Sequence, residues 1–331
     1  MLRLYRFSII CFYYPFVFAV LGYPALAVDT FGTGANTFEI EFVTIGDQDN
    51  AADFSGVPQP AGSVAYEYLI GKYEISEQVI QKANAQSLLD GDLLEISVSN
   101  RGPDKPATSI TWFEAARFVN WLNEEQGFAP AYKFNEIPGA RPGSSPTYEF
   151  AVWEPSDPGY NANNLFRNRR ANYVLPTVDE WYKAAYYDAE NGQYFDFATG
   201  ENSAPQITAG GMDAGTAVYQ LLPDAGPANV TLAGGLSPYG VSGLNGNVSE
   251  WNETADDAIN DITGERRVLR GGAWASSGAS LSATIISGDL PDLAIGNTGF
   301  RVVSLGIPEP ASISLVRLYR RGGPAHTTHQ A

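Results

Sequence analysis

Gly246-Asn247-Val248-Ser249-Glu250-Trp251, preceded by Tyr239-Gly240, is followed by Arg270-Gly271-Gly272-Ala273-Trp274 and then by Gly299-Phe300-Arg301. Working outward from this stretch, three earlier blocks stand in a fixed order: Ile70-Gly71-Lys72-Tyr73-Glu74-Ile75-Ser76, Pro106 to Leu122, and Tyr173 to Trp181. Two of them open helices. Thr111-Trp112-Phe113-Glu114 and Thr177-Val178-Asp179-Glu180 each place a hydroxyl where it can accept an orphan backbone N–H, with a glutamate three residues on to return the bond. Behind the first cap, Trp112, Ala115, Ala116, Val119 and Leu122 recur at helical spacing as far as Gly127. Behind the second, Trp181, Ala184 and Ala185 predict a helix to about Tyr187. These apolar stripes read as core.

Phe38-Glu39-Ile40-Glu41-Phe42-Val43-Thr44-Ile45 alternates for most of its length and predicts a half-buried strand; Tyr66 to Ile75 predicts another. Residues 135–172 and 188–240 carry little periodicity and are rich in Gly, Asn and Pro. Long loops inside a compact domain are usually functional or tied down by bound ions. The expected class is therefore α+β with few regular elements. Val28 to Thr37, polar and Gly-rich, reads as a linker, and no composition break marks a second domain.

The 331 residues include 37 Asp+Glu against 20 Lys+Arg, a net charge of -17, which repels phosphate backbones and argues against nucleic-acid binding. The rare residues exclude more. The one cysteine is Cys11 and the two histidines are His326 and His329, so residues 30–320 contain neither thiol nor imidazole. Ser-His-Asp and Cys-His catalysis, zinc fingers, His-bound iron and disulfide frameworks are absent from the main body.

Both ends read as addresses. Arg3 and Arg6, an apolar run from Phe7 to Leu21, and Ala25-Leu26-Ala27 are the three parts of a signal peptide over residues 1–27. Pro15 and Pro24 interrupt the run and disfavour a membrane anchor. Residues 305–331 contain Pro308-Glu309-Pro310, a short apolar run to Val316, and Arg317, Arg320 and Arg321. This tail resembles the PEP-CTERM sorting signal of exported bacterial proteins in a degenerate form, because its apolar run is far below the ~20 residues of a membrane span. An exported chain in the periplasm, at the cell surface or outside the cell is expected, with no stable membrane span once mature.

The four blocks together resemble the formylglycine-generating, or sulfatase-modifying-factor, family over residues 38–304. The resemblance implies a C-type-lectin-like formylglycine-generating-enzyme fold with low regular secondary structure. It does not carry the activity over. Family members oxidise a sulfatase cysteine with a copper-binding cysteine pair placed shortly after the Arg-Gly-Gly block, and Ser276 and Leu281 stand there in this chain. A hydroxyl and an isobutyl group do not bind Cu(I) as thiolates do, so no copper is expected. The resemblance also implies Ca²⁺ sites: Asn245, Gly246, Val248 and Glu250 in one loop, and Asn229 and Val230 after Ala228 in another. Gly243 stands where the family adds an acidic or amide ligand. Ca²⁺ takes roughly six to eight oxygens, more than these residues supply.

Among other clusters, Glu253, Asp256, Asp257, Asp261 and Glu265 read as a solvated hairpin, and Arg141, Arg167, Arg169 and Arg170 as a basic patch that pairs with the abundant acids. The expectation is thus an exported, non-catalytic binding or structural domain at the cell surface. Its ligand, a surface glycan or a protein, would meet Trp251, Trp274 and Arg301. The alternative is an enzyme of altered chemistry that uses carboxylates or Tyr in the same groove, without formylglycine-generating activity.

Overall fold

The computed structural model describes residues 26–91, 93–137 and 147–307. A five-stranded antiparallel sheet forms the base, in the order β1 (Leu26–Phe31), β2 (Phe38–Ile45), β3 (Tyr68–Gly71), β15 (Val303–Ser304) and β6 (Tyr173–Val174). The last strand among the described residues, β15, sits between β3 and β6, with Val303 opposite both Ile70 and Val174. The C-terminal part of the domain is therefore built into the same sheet as its N-terminal strands. Three helices pack around this base: α1 (Glu77–Asp90), α2 (Trp112–Glu125) and α3 (Val178–Tyr186).

Small pieces fill the loops: the hairpin β4 (Lys133–Ile137) with β5 (Thr147–Ala151), the hairpin β7 (Tyr187–Asp188) with β8 (Gln193–Tyr194), and the parallel pair β9 (Gln206–Ile207) and β10 (Thr216–Ala217). A second sheet, in the order β13-β12-β11-β14, is built from β11 (Ser249–Ala255), β12 (Arg267–Arg270), β13 (Ser287–Asp289) and β14 (Thr298–Gly299). Among the described residues no helix is long and apolar enough to cross a membrane.

Local chemistry explains the elements that were read correctly. Both capping boxes close, with the Thr111 hydroxyl accepting from the Glu114 N–H at 3.0 Å and Thr177 from Glu180 at 3.2 Å. Strand β2 spans the alternating octet, burying Phe38, Ile40, Phe42, Val43 and Ile45. Helix α1 was not anticipated, because its apolar residues make no continuous stripe. Its Ser76 N-cap and left-handed Gly91 C-cap were the available signals.

The expected linker over residues 28–37 is corrected. Val28, Asp29, Thr30 and Phe31 pair with Glu41, Ile40, Glu39 and Phe38 in the β1–β2 ladder, and Gly34–Asn36 is a 3₁₀ turn. Phe31 is buried and stacks on Phe38 with ring centroids 5.5 Å apart, while the Tyr173 hydroxyl donates to Asp29 at 2.7 Å. Two buried aromatics tie down a segment whose Gly and Thr content suggested a tether. The strand begins at Leu26; the rest of the proposed signal peptide, and the Pro-Glu-Pro tail, lie outside the described residues.

Replacing Thr111 or Thr177 by Ala is expected to cost about 1 kcal/mol each, read as a lower urea midpoint at unchanged slope. Unchanged midpoints for both variants would show that the boxes do not hold the helix starts.

Candidate functional site

The glycine-rich loop before β11 is shaped by contacts that only glycine tolerates. Gly246 has φ +79°, and a Cβ there would lie 2.1 Å from the Val218 carbonyl oxygen. Between glycines, Asn247 turns left-handed at φ 56° and is satisfied on every side. Its N–H donates to the Val218 carbonyl at 2.7 Å and its carbonyl accepts from the Trp274 N–H at 2.9 Å. Its side-chain oxygen accepts from the Ala228 N–H at 2.8 Å, and its Nδ2 donates to Glu74 at 2.9 Å.

Strand β11 then carries Glu250 into the interior. The Arg301 guanidinium meets it twice, Nη2 to Oε1 at 2.5 Å and Nε to Oε2 at 2.6 Å, with both side chains fully buried. Trp181 Nε1 adds a donor to Glu250 at 2.7 Å, and Arg301 also donates to the carbonyls of Gly71 at 2.8 Å and Ser242 at 2.9 Å. Burial alone would lower the Arg301 pKa, but the adjacent Glu250 carboxylate more than offsets it and holds the group above its ordinary value.

Glu74 is the third titratable residue here. A Cβ on Gly243 would fall 2.6 Å from Glu74 Oε1 and 2.8 Å from Oε2, so the glutamate carboxyl occupies the space next to that glycine. Its Oε2 is buried without a partner. Burial first, then repulsion from Glu250, push Glu74 up to about 8 against the opposing pull of Arg301 and Asn247. One guanidinium cannot fully compensate two enclosed carboxylates, so the proton stays on the worse-paired one.

These contacts correct the expected ligand-facing set. Trp251 and Arg301 are fully buried and Trp274 almost so. Trp251 Nε1 donates to the Ile110 carbonyl at 2.9 Å, and Trp274 Nε1 to Pro223 at 3.0 Å with the Arg101 guanidinium over its ring at 4.6 Å. They join blocks of sequence and do not face a ligand.

The donor set expected for Ca²⁺ does not fit a divalent cation as placed. Glu250 is spent on Arg301 and Trp181, and the Asn245 amide, assigned with its oxygen toward the backbone, accepts from the Ala198 and Thr199 N–H groups at 3.0 and 3.1 Å. The Asn229 carbonyl caps a turn by accepting from Leu232, Val230 donates to the Asp104 carbonyl, and the Val248 side chain packs with Val218 and Trp274. The carbonyls of Gly246, Val248 and Val230 and the Asn229 side-chain oxygen remain, all neutral and fewer than the roughly six to eight oxygens that Ca²⁺ takes.

A second buried network lies beyond the first. Arg167 pairs with Glu180 and Glu253, each at 2.8 Å, and Glu253 also accepts from the Tyr132 hydroxyl at 2.7 Å. The basic residue pairs with acids as expected; the solvated reading of Glu253 does not hold, because that carboxylate is fully buried. Asp256 does pair in the open with Arg266, and Arg141 lies outside the described residues.

Grooves open to solvent include two of note. The larger, about 540 Å³, is lined by Asp188, Glu190, Phe195, Thr199 and Tyr239 among others. The smaller, about 230 Å³, lies between α2 and the β4–β5 hairpin. None of the predicted site residues lines either one.

A family model described as the sulfatase-modifying factor enzyme 1-like domain matches residues 37–305. The chain belongs to this family. Its fold is the C-type-lectin-like formylglycine-generating-enzyme fold, shared with Treponema denticola variable protein 1 (TM-score 0.56, 22% identity, 86% of this chain and 99% of that one). CarF is similar as well (TM-score 0.53, 19% identity, 80% and 98%). In sequence, the chain is 24% identical to the chaperone protein LppX of Paenibacillus barcinonensis over 223 residues, 64% of this chain and 70% of that protein.

Where the family resemblance places a reactive cysteine pair, Ser276 and Leu281 flank Gly272. A Cβ on Gly272 would be 3.4 Å from the Ser276 Cβ and 3.1 Å from the Leu281 Cδ1. Ser276 accepts from the Ala273 N–H at 2.9 Å, and Leu281 is fully buried with Ala217, Tyr219 and Phe197.

Two outcomes follow. Glu74 keeps its proton to about 8 in the folded state, against an ordinary 4.5. Below pH 4.5 both states hold the proton; between those values the unfolded chain alone releases it, so stability falls as pH rises and levels off above 8. Glu74→Gln cannot ionise, and its advantage over the parent should grow from near zero at pH 4 to on the order of 2–4 kcal/mol at pH 8. A difference in Tm that is flat with pH would show Glu74 ionised inside the fold. For the loop, the Tm of purified protein should be the same in calcium and in excess chelator, and a rise with calcium would restore the metal site.

Proposed function

We propose that this chain is an exported, non-catalytic member of the sulfatase-modifying factor family that serves as a binding or structural domain at the cell surface. The observation that carries the reading is the packed plug at the reactive position. Leu281 seals it with aliphatic and aromatic neighbours, and Ser276 is engaged in a backbone cap. The signal-peptide pattern and the Pro-Glu-Pro tail support export.

An enzyme of altered chemistry would require a proton-holding acid at an open groove. Glu74, the carboxyl raised to about 8, lines neither groove. Tyr239 does line the larger one, but burial, reinforced by Asp47, holds its hydroxyl well above the ordinary phenol range, and it donates to the Gly46 carbonyl at 3.1 Å. Neither group is a base at neutral pH in contact with a substrate.

Incubated with copper, oxygen and a peptide carrying the cysteine that family enzymes oxidise, the protein should leave that cysteine unchanged by mass spectrometry. Leu281→Ala should lower stability by about 2–5 kcal/mol, the cost of an aliphatic core cavity, and create no turnover. Formylglycine formation by the parent chain would end the non-catalytic reading. In the source cell, the protein should appear in the exported fraction with Val28 as its first residue.

A further inference from the structure

The smaller groove differs in chemistry from the rest of the surface. Its one wall is a stripe of α2 at helical spacing, Arg117, Asn120, Trp121 and Glu124; the other is made of Phe134 on β4, Tyr148 on β5 and Trp153 just beyond. The chain has six tryptophans. Five of them, Trp112, Trp121, Trp181, Trp251 and Trp274, are buried, and Trp153 alone keeps part of its ring accessible. Tyr148 is 42% exposed beside it, and Phe134 is half-buried. Three accessible aromatic rings on one concavity are a costly arrangement in water, of the kind that marks a ligand site.

The groove is also held in shape. Trp153 Nε1 donates to the Ala131 carbonyl at 3.0 Å, and Asn120 fixes Tyr132 through both its amide groups. The Arg117 guanidinium lies 5.0 Å over the Tyr148 ring and donates to the Leu93 carbonyl at 2.6 Å. Lys133 is neutralised by Asp157 at 2.8 Å. Arg117 and Glu124, both on the α2 wall, add one positive and one negative group to the lining. On a chain of net charge -17 this concavity is locally balanced, so it selects neither a cation nor an anion.

We propose that this groove binds a single neutral sugar ring, the terminal or branching residue of a surface glycan. A pyranose offers a face of C–H groups to the negative face of an aromatic ring, and its hydroxyls can accept from the donors of a guanidinium. The volume decides between one ring and a chain: 230 Å³ is below the ~300–1,000 Å³ of pockets that enclose a drug-sized ligand. Phe134, Tyr148 and Trp153 form the stacking surface, and Arg117 orients the hydroxyls. The assignment rests on the binding-domain reading and gives it a ligand class and a place.

The test uses the full chain and the methyl glycosides of glucose, galactose, mannose and N-acetylglucosamine. Binding is followed by calorimetry and by acrylamide quenching of tryptophan fluorescence, which reports mainly on Trp153 because the other five rings are enclosed. One or more glycosides should bind saturably, with Kd on the order of millimolar, and protect Trp153 from quencher. Trp153→Ala and Tyr148→Ala should each weaken binding about tenfold or more, while Tm and far-UV circular dichroism stay at parent values. Tyr148 sits at the exposed hairpin, so its variant keeps the test valid if Trp153→Ala fails to fold. Binding that survives both substitutions overturns the site and leaves the binding-domain reading intact. No binding by any of the four glycosides overturns the sugar class, and that reading then rests on a protein partner. Chemical turnover of a glycoside would overturn the non-catalytic reading itself.

Discussion

The pairing of Arg301 with Glu250 in the centre of the molecule is the contact on which the loop-rich half of the fold depends. Two charges this deep are stable only if every donor and acceptor is used, and here they are: Glu250 takes two bonds from Arg301 and one from Trp181, while Arg301 reaches on to Gly71 and Ser242. Those partners come from α3, from β3, from the loop before β11 and from the end of the chain. Removing one charge would strand the other, at about 3–5 kcal/mol. That cost makes the relative placement of four distant segments nearly all-or-none in a region with little regular secondary structure.

The same geometry says what the signature blocks are for. Trp112 donates to the Asn252 carbonyl and Trp251 to Ile110, so the second and fourth blocks are stitched together just as the first, third and fourth are by Arg301. Asn247 ties the fourth block to Glu74 in the first. The residues by which the family is recognised are therefore mostly scaffold. A chain can keep all of them while a leucine and a serine fill the reactive position, because Gly272, Ser276 and Leu281 lie outside this network. Recognition of the family rests on different residues from those at this position.

What could be read from the sequence follows the range of the interaction. A capping box involves residues three apart, and the alternation of β2 is visible within eight residues, so both were legible. Strand β1 was not, since its hydrophobic evidence is Phe31 alone and its partners Phe38 and Tyr173 lie elsewhere. Trp251, Trp274 and Arg301 were placed correctly in order and wrongly in exposure: a tryptophan or arginine between glycines has the composition of a binding loop, and only the position of Ile110, Pro223 and Glu250 turns it inward. Glu253 failed in the same way, because its partner Arg167 is 86 residues away. Trp153 in the smaller groove carried no local signal, and became visible only when the other five rings were accounted for.

The charge excess also acquires a location. Among the described residues the fully enclosed charged side chains are five acids, Glu74, Glu77, Glu180, Glu250 and Glu253, and five bases, Arg167, Lys183, Arg267, Arg270 and Arg301. The interior is balanced, and where pairing is incomplete other devices take over. Arg267 lies 4.8 Å from the Trp112 ring and 4.4 Å from Phe166, where burial lowers it to about 10, and Glu74 keeps its proton. The net -17 is thus carried by residues that are not enclosed. Such a surface holds polyanions and other acidic chains at a distance. A groove on it that is both aromatic and locally neutral is accordingly suited to an uncharged ligand, one whose binding gains little from the long-range field and depends on ring-to-ring contact instead.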